Sequence, residues 1–193
     1  MSRPGLALAI ALVLSRAVNA FAHEIADPRV LVIVPSKDAI ELRVNEMTPL
    51  AESAQLRQRF DGDHTGTLDD SEQSDLASFL AVRATAQLSV EENGAALALE
   101  TTSRVLRNAG PRVDASLPLS IDVVLQARPA GAKEVAVLVK DHRADDHAIR
   151  VAVLASGVTL RAASAGELDA KRGLVTGVVL DRAHALTLRY QRP

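Results

Sequence analysis

The stretch Asp61-Gly-Asp-His-Thr-Gly-Thr-Leu-Asp-Asp-Ser-Glu72 sets an oxygen-bearing residue at the first, third, fifth, seventh, ninth and twelfth of its positions: Asp61, Asp63, Thr65, Thr67, Asp69 and Glu72. Gly66 falls sixth, where a chain folding back on itself needs a backbone conformation that glycine adopts at least cost. Leu68, in eighth place, is apolar. Alternate oxygens turned inward from such a loop suit a hard divalent cation. Calcium takes about six to eight oxygens at roughly 2.3–2.6 Å and tolerates irregular geometry, whereas magnesium demands a tighter octahedron. A solvated acidic turn between two helices is the alternative reading.

This pattern resembles the EF-hand family, and the resemblance implies one bound Ca²⁺ ion. In the implied ligand set, Asp61 and Asp63 each give a carboxylate oxygen, Thr65 a hydroxyl and Thr67 its backbone carbonyl. Asp69 acts directly or through a water, and Glu72 closes the site with both oxygens, which favours calcium over magnesium. The pattern departs from the family at Thr65, a neutral residue where Asp, Asn or Ser is commoner. No second loop of this type occurs, although EF-hands pair through the backbone at the eighth position. A lone site implies weak binding, about 10⁻⁴–10⁻³ M, as in extracellular modules. Leu68 pairing with its copy in a second chain would give a calcium-linked homodimer.

Moving outward, Thr48-Pro49 predicts a helix start, with Thr48 as N-cap and Pro49 at the first helical position. Leu50, Ala54 and Phe60 then supply the apolar positions of an entering helix. Beyond the loop, Leu76, Phe79 and Leu80 recur at three- and four-residue spacing, the mark of an amphipathic exit helix. Phe60 and Phe79 flank the loop, and packing between them would hold the two helices together. Six acids (Asp61, Asp63, Asp69, Asp70, Glu72 and Asp75) crowd this region. Their mutual repulsion would be relieved by a cation.

Farther out the period changes from helical to β. Arg29-Val-Leu-Val-Ile-Val34 and Ala39-Ile-Glu-Leu-Arg-Val44 read as two strands around a Pro35-Ser-Lys-Asp38 turn. Ala86–Val90 and Ala95–Leu99 enclose Asn93-Gly94, a strong hairpin signal. Leu119–Leu125, Glu134–Lys140, Ile149–Leu154, Gly157–Arg161, Leu174–Leu180 and Leu186–Tyr190 continue the series. Short strands at near-regular spacing predict an α+β chain. Its frame would be an antiparallel β-sandwich with an inserted EF-hand-like helix-loop-helix. The expected divisions are a leader over 1–22, two sandwich strands over 23–47, the insert over 48–82 and the remaining sandwich over 83–193. Val, Ile and Leu must fill the core almost unaided.

Met1–Ala22 reads as a secretory signal peptide. Arg3 provides the positive start, Gly5–Leu14 the apolar run, and Ala20 and Ala22 the small residues before cleavage at His23. The run is too short to span a bilayer as a helix, so a periplasmic or secreted product is expected. Two of the 22 cations (Arg3 and Arg16) and none of the 24 acids belong to the leader, which leaves the mature chain a formal charge of −4. The absence of cysteine excludes disulfides and thiolate metal sites. With no basic stripe and few aromatics, nucleic-acid binding is not expected.

The order of a mature His23-Glu24, two strands, the Asp61–Glu72 loop and the Asn93-Gly94 hairpin also resembles the exported soluble N-terminal region of hydrogenase/urease accessory (HupE/UreJ-type) membrane proteins. The transport function of that family is not carried over. An amine and imidazole at a mature His23 would together bind copper or nickel, with His142 or His147 as partner, so a periplasmic copper/nickel carrier is the second functional reading. A structural interaction domain whose loop uses no ion is a third. His64, fourth in the loop, should point outward. Lys140–His147 reads as an exposed turn, and His184 has no assigned role. No nucleophile elbow, phosphate loop or zinc-protease motif occurs, so no enzyme is expected.

Overall fold

The computed structural model describes residues 29–110, 112–113, 116–142, 149–181 and 184–193. The leader Met1–Ala22, His23 and His147 lie outside the described residues. The described residues form a β-rich α+β fold of twelve strands and two helices. In chain order these are β1 (Arg29–Pro35), β2 (Ile40–Met47), α1 (Leu50–Phe60), α2 (Asp70–Thr85), β3 (Leu88–Glu92), β4 (Ala95–Leu97), β5 (Glu100–Arg107) and β6 (Ser120–Ala127). The series ends with β7 (Glu134–Asp141), β8 (Ile149–Leu154), β9 (Thr159–Ala163), β10 (Glu167–Asp169), β11 (Leu174–Leu180) and β12 (Leu186–Gln191).

Seven strands form one sheet in the order β10-β11-β8-β1-β2-β6-β5, and five form a second in the order β4-β3-β7-β12-β9. The near-continuous apolar run of β1 takes the centre of the larger sheet. β2 alternates buried Ile40, Leu42, Val44 and Glu46 with half-exposed residues, as a strand with one packed face must. The expectation of purely antiparallel pairing needs correction, because β1 runs parallel to β8, with Leu31 opposite Val151. Chain segments of the smaller sheet separate these two strands, so no tight turn dictates their direction. β5 and β10 lie where the sequence pattern predicts no strand. β5 is an edge strand exposed along almost its whole length, so no burial pattern marks its residues.

Helices α1 and α2 lie between β2 and β3, where the chain passes from the larger sheet to the smaller. The helix start differs from expectation. Pro49 occupies the N-cap with φ −52° and ψ 148°, and no side chain caps the helix. Thr48 instead accepts a hydrogen bond at its hydroxyl from Arg83 Nη2 at 2.6 Å. The buried residues of α1 are Ser53, Leu56 and Arg57, whereas Leu50 is exposed. Helix α2 buries Leu76, Ala77, Leu80, Ala81 and Ala84, and packs against β6, β5 and β2. Leu56, Leu68, Leu76 and Leu80 belong to the same core cluster as Leu31 and Ile121 of the larger sheet and Val139 and Leu188 of the smaller.

Beside this aliphatic core lies a buried ionic cluster. Arg29 of β1 donates to Asp141 of β7 at 2.7 Å, faces Glu46 of β2 at 3.4 Å, and donates to the Ala84 carbonyl of α2. Glu46 also meets Arg83 of α2 at 3.3 Å, and Arg83 pairs with Glu52 of α1. Asp141 is therefore buried within β7 rather than part of an exposed turn. Removing one partner from a buried charge group leaves the others desolvated and uncompensated, at a cost of about 3–5 kcal/mol. Arg29→Ala is expected to lower the unfolding free energy by about that amount, read from the urea midpoint at constant m-value. A loss below about 1 kcal/mol would contradict the role given to this cluster.

Candidate metal centre

The loop is built by the ends of two helices. α1 stops at Phe60, and Asp61 N–H still bonds back to the Arg57 carbonyl at 3.0 Å. The chain then turns through His64 at φ 58° and Gly66 at φ 77°. Left-handed backbone is cheap for Gly66 but uncommon for a histidine. His64 is exposed, as its place in the loop predicts. α2 begins at Asp70 with a full capping box: Asp69 Oδ1 accepts Glu72 N–H at 2.8 Å, and Glu72 Oε2 accepts Asp69 N–H at 3.0 Å.

Asp61, Asp63 and Glu72 come together. One carboxylate oxygen from each lies within 4.8 Å of the others, the only such acidic or histidine group of three among the described residues. Each oxygen is also oriented by backbone. Asp61 Oδ1 accepts from Thr65 N–H and Oδ2 from Gly66 N–H, both at 3.0 Å. Asp63 Oδ1 accepts from Thr65 N–H at 3.1 Å. Glu72 Oε1 reaches across the loop to Gly62 N–H at 2.6 Å. Asp61 is buried, whereas Asp63 is open to solvent.

The other expected ligands are engaged differently. Thr65 Oγ1 lies 3.1 Å from the Thr67 carbonyl and 3.0 Å from Thr67 Oγ1. Asp69 serves as helix cap and is outside the acidic group of three. The Leu68 side chain is only 2 % exposed, packed in this chain's own core. Phe60 and Phe79 meet across the two helices at a centroid separation of 5.6 Å and a 48° tilt. The Arg59 guanidinium carbon sits 5.8 Å and 5.3 Å from the two rings. This contact packs the last residue of α1 against the middle of α2.

Polar residues that periodicity passed over complete the support. Arg57 is fully buried, and burial pushes its guanidinium below its ordinary value. It donates to the carbonyls of Asn108 at 2.7 Å, Leu117 at 2.8 Å and Ala109 at 3.3 Å. No pattern of apolar residues announces an arginine that serves backbone carbonyls. His64 lies in the loop but outside the acidic group of three, and two other described histidines are engaged elsewhere: His142 contacts Ser89 at 2.8 Å, and His184 contacts Asp181 at 2.7 Å. Comparison of the sequence with protein-family models and with curated proteins finds no match.

Hydrogen bonds from Thr65, its side chain foremost and its backbone next, hold the Asp63 carboxyl below its ordinary value. A depressed carboxyl stabilises the fold above its unfolded-state value and loses that contribution as pH falls through the folded-state value. Side-chain NMR of the metal-free protein should place the Asp63 midpoint below that of an ordinary aspartate. Thr65→Ala should move it upward, and an unmoved midpoint would contradict the assignment.

Proposed function

We propose that this protein is an exported calcium-binding protein with one site in the Asp61–Glu72 loop. The ion stiffens the helix-loop-helix and tunes the surface it presents to a partner. One observation carries the reading: carboxylate oxygens of Asp61, Asp63 and Glu72 within 4.8 Å of one another, at the junction of two helices. Three like charges so close repel in water and gain from a shared divalent cation. Gly66 in left-handed backbone and the backbone N–H groups that orient the carboxylates support the same reading.

Export rests on the leader pattern of Met1–Ala22. We read the two sheets as the layers of a sandwich, because their buried residues join one core cluster, and the helices as an EF-hand-like insertion into it. At about 1 mM calcium and a dissociation constant of about 10⁻⁴ M, binding adds about 1.4 kcal/mol of stability. Such an ion supports the insert without deciding whether the chain folds.

Calorimetric titration of the metal-stripped mature protein should find one calcium site per chain, with little response to magnesium. Glu72→Gln should abolish that heat while leaving the sheet signal in circular dichroism unchanged. Absence of binding at several millimolar calcium would overturn the reading. Copper or nickel bound in a manner that survives Glu72→Gln and is lost when a residue is added before His23 would favour the carrier reading.

A further inference from the structure

We propose that the described residues of the connection between β5 and β6 (108–110, 112–113 and 116–119) take the place of a second ion loop, bracing the Asp61–Glu72 loop from within the same chain and setting its calcium affinity. This inference rests on the calcium reading above. Three anchors carry it. The first is an antiparallel bridge between Thr67 and Arg112, in which Val113 N–H donates to the Gly66 carbonyl at 3.2 Å. The second is Arg57, fully buried in the last turn of α1, whose guanidinium gathers the carbonyls of Asn108, Ala109 and Leu117. The third ties the far end of the connection to the start of α1. Leu119 N–H donates to Ser53 Oγ at 2.9 Å, the Ser53 hydroxyl donates to the Thr48 carbonyl at 3.0 Å, and Thr48 N–H donates to the Leu119 carbonyl at 2.8 Å.

The connection is thus held by the entering helix at both ends and by the ion loop between them. Its effect on binding follows from what the metal-free loop would otherwise do. Three carboxylates in mutual repulsion favour an opened loop, and a cation that must close it binds more weakly by the fraction of closed molecules. The bridge at Gly66 and Thr67 pins the middle of the loop in its closed form. Calcium in turn draws the loop against the bridge, so the connection is steadied by the ion. Residues 112–113 occupy the loop edge through which two such loops would otherwise pair, so the loaded protein stays monomeric.

The test uses the full mature chain and calcium alone, titrated calorimetrically into wild type, Val113→Pro and Val113→Ala. Proline removes the amide that bonds Gly66, whereas alanine keeps it and controls for the side chain. Val113→Pro should weaken calcium binding about fivefold, the scale of one backbone hydrogen bond, with Val113→Ala near wild type. Equal affinity in all three would overturn the bracing role and leave the calcium site standing. No calcium binding by wild type would overturn both. Hydrogen exchange at the Val113 amide of wild type gives a reading independent of how Val113→Pro folds. Calcium should slow this amide, and an unchanged rate would contradict the proposal. A calcium-dependent dimer in sedimentation would overturn it as well.

Discussion

Arg29 is the point at which the parts of this molecule meet. Its guanidinium binds Asp141 of the smaller sheet, faces Glu46 of the larger sheet and donates to the Ala84 carbonyl near the end of α2. Glu46 stands just before the two helices and Ala84 close to their end, so one cation grips both ends of the helical segment. Burying this many charges costs heavily in lost hydration. What the arrangement returns is a fixed relation between the two sheets and the helices. An apolar side chain in place of Arg29 would bury comparable surface but would fix none of these directions.

The rest of the core is aliphatic. Among the described residues Tyr190 is its one buried aromatic, and it sits in a second ionic cluster. Arg192 donates to Glu92 at 3.0 Å and to the Tyr190 hydroxyl at 3.2 Å, while Glu92 accepts Ala130 N–H at 2.6 Å. Burial raises the Tyr190 phenol from its ordinary value, which keeps it neutral beside that pair. Leu, Val and Ile supply bulk but little direction. Directional groups at Arg29, Arg57 and Arg192 pin the two sheets, the β5–β6 connection and the stretch around Ala132 and Glu92 in turn.

Much of this was legible in the sequence because it follows local rules. The helices around Asp61–Glu72 declare themselves through the spacing of Leu76, Phe79 and Leu80, and the Asn93-Gly94 turn marks its hairpin with left-handed backbone at both residues. β5 was hidden because an exposed edge strand has no buried face to alternate. The parallel pairing of β1 with β8 was hidden because it joins segments more than a hundred residues apart. Leu50 is an apolar position of α1 yet lies exposed, while Arg57 is buried with no apolar signal to mark it. Hydropathy counts apolar side chains, and this helix buries a polar face against carbonyls that only the tertiary fold delivers. Within the loop, spacing singled out Asp61, Asp63 and Glu72, which the fold brings close together, but it did not show that Asp69 caps α2.

In this account the carboxylates are gathered by the protein's own hydrogen bonds, braced by residues 112–113, and completed by a cation. The most direct measurement is a crystal structure of the protein grown with calcium, the ion identified by its anomalous signal. The account predicts one ion in the loop, touching Asp61, Asp63, the Thr67 carbonyl and both oxygens of Glu72 at about 2.3–2.6 Å. A loop without an ion at millimolar calcium, or an ion held by histidines elsewhere, would contradict it.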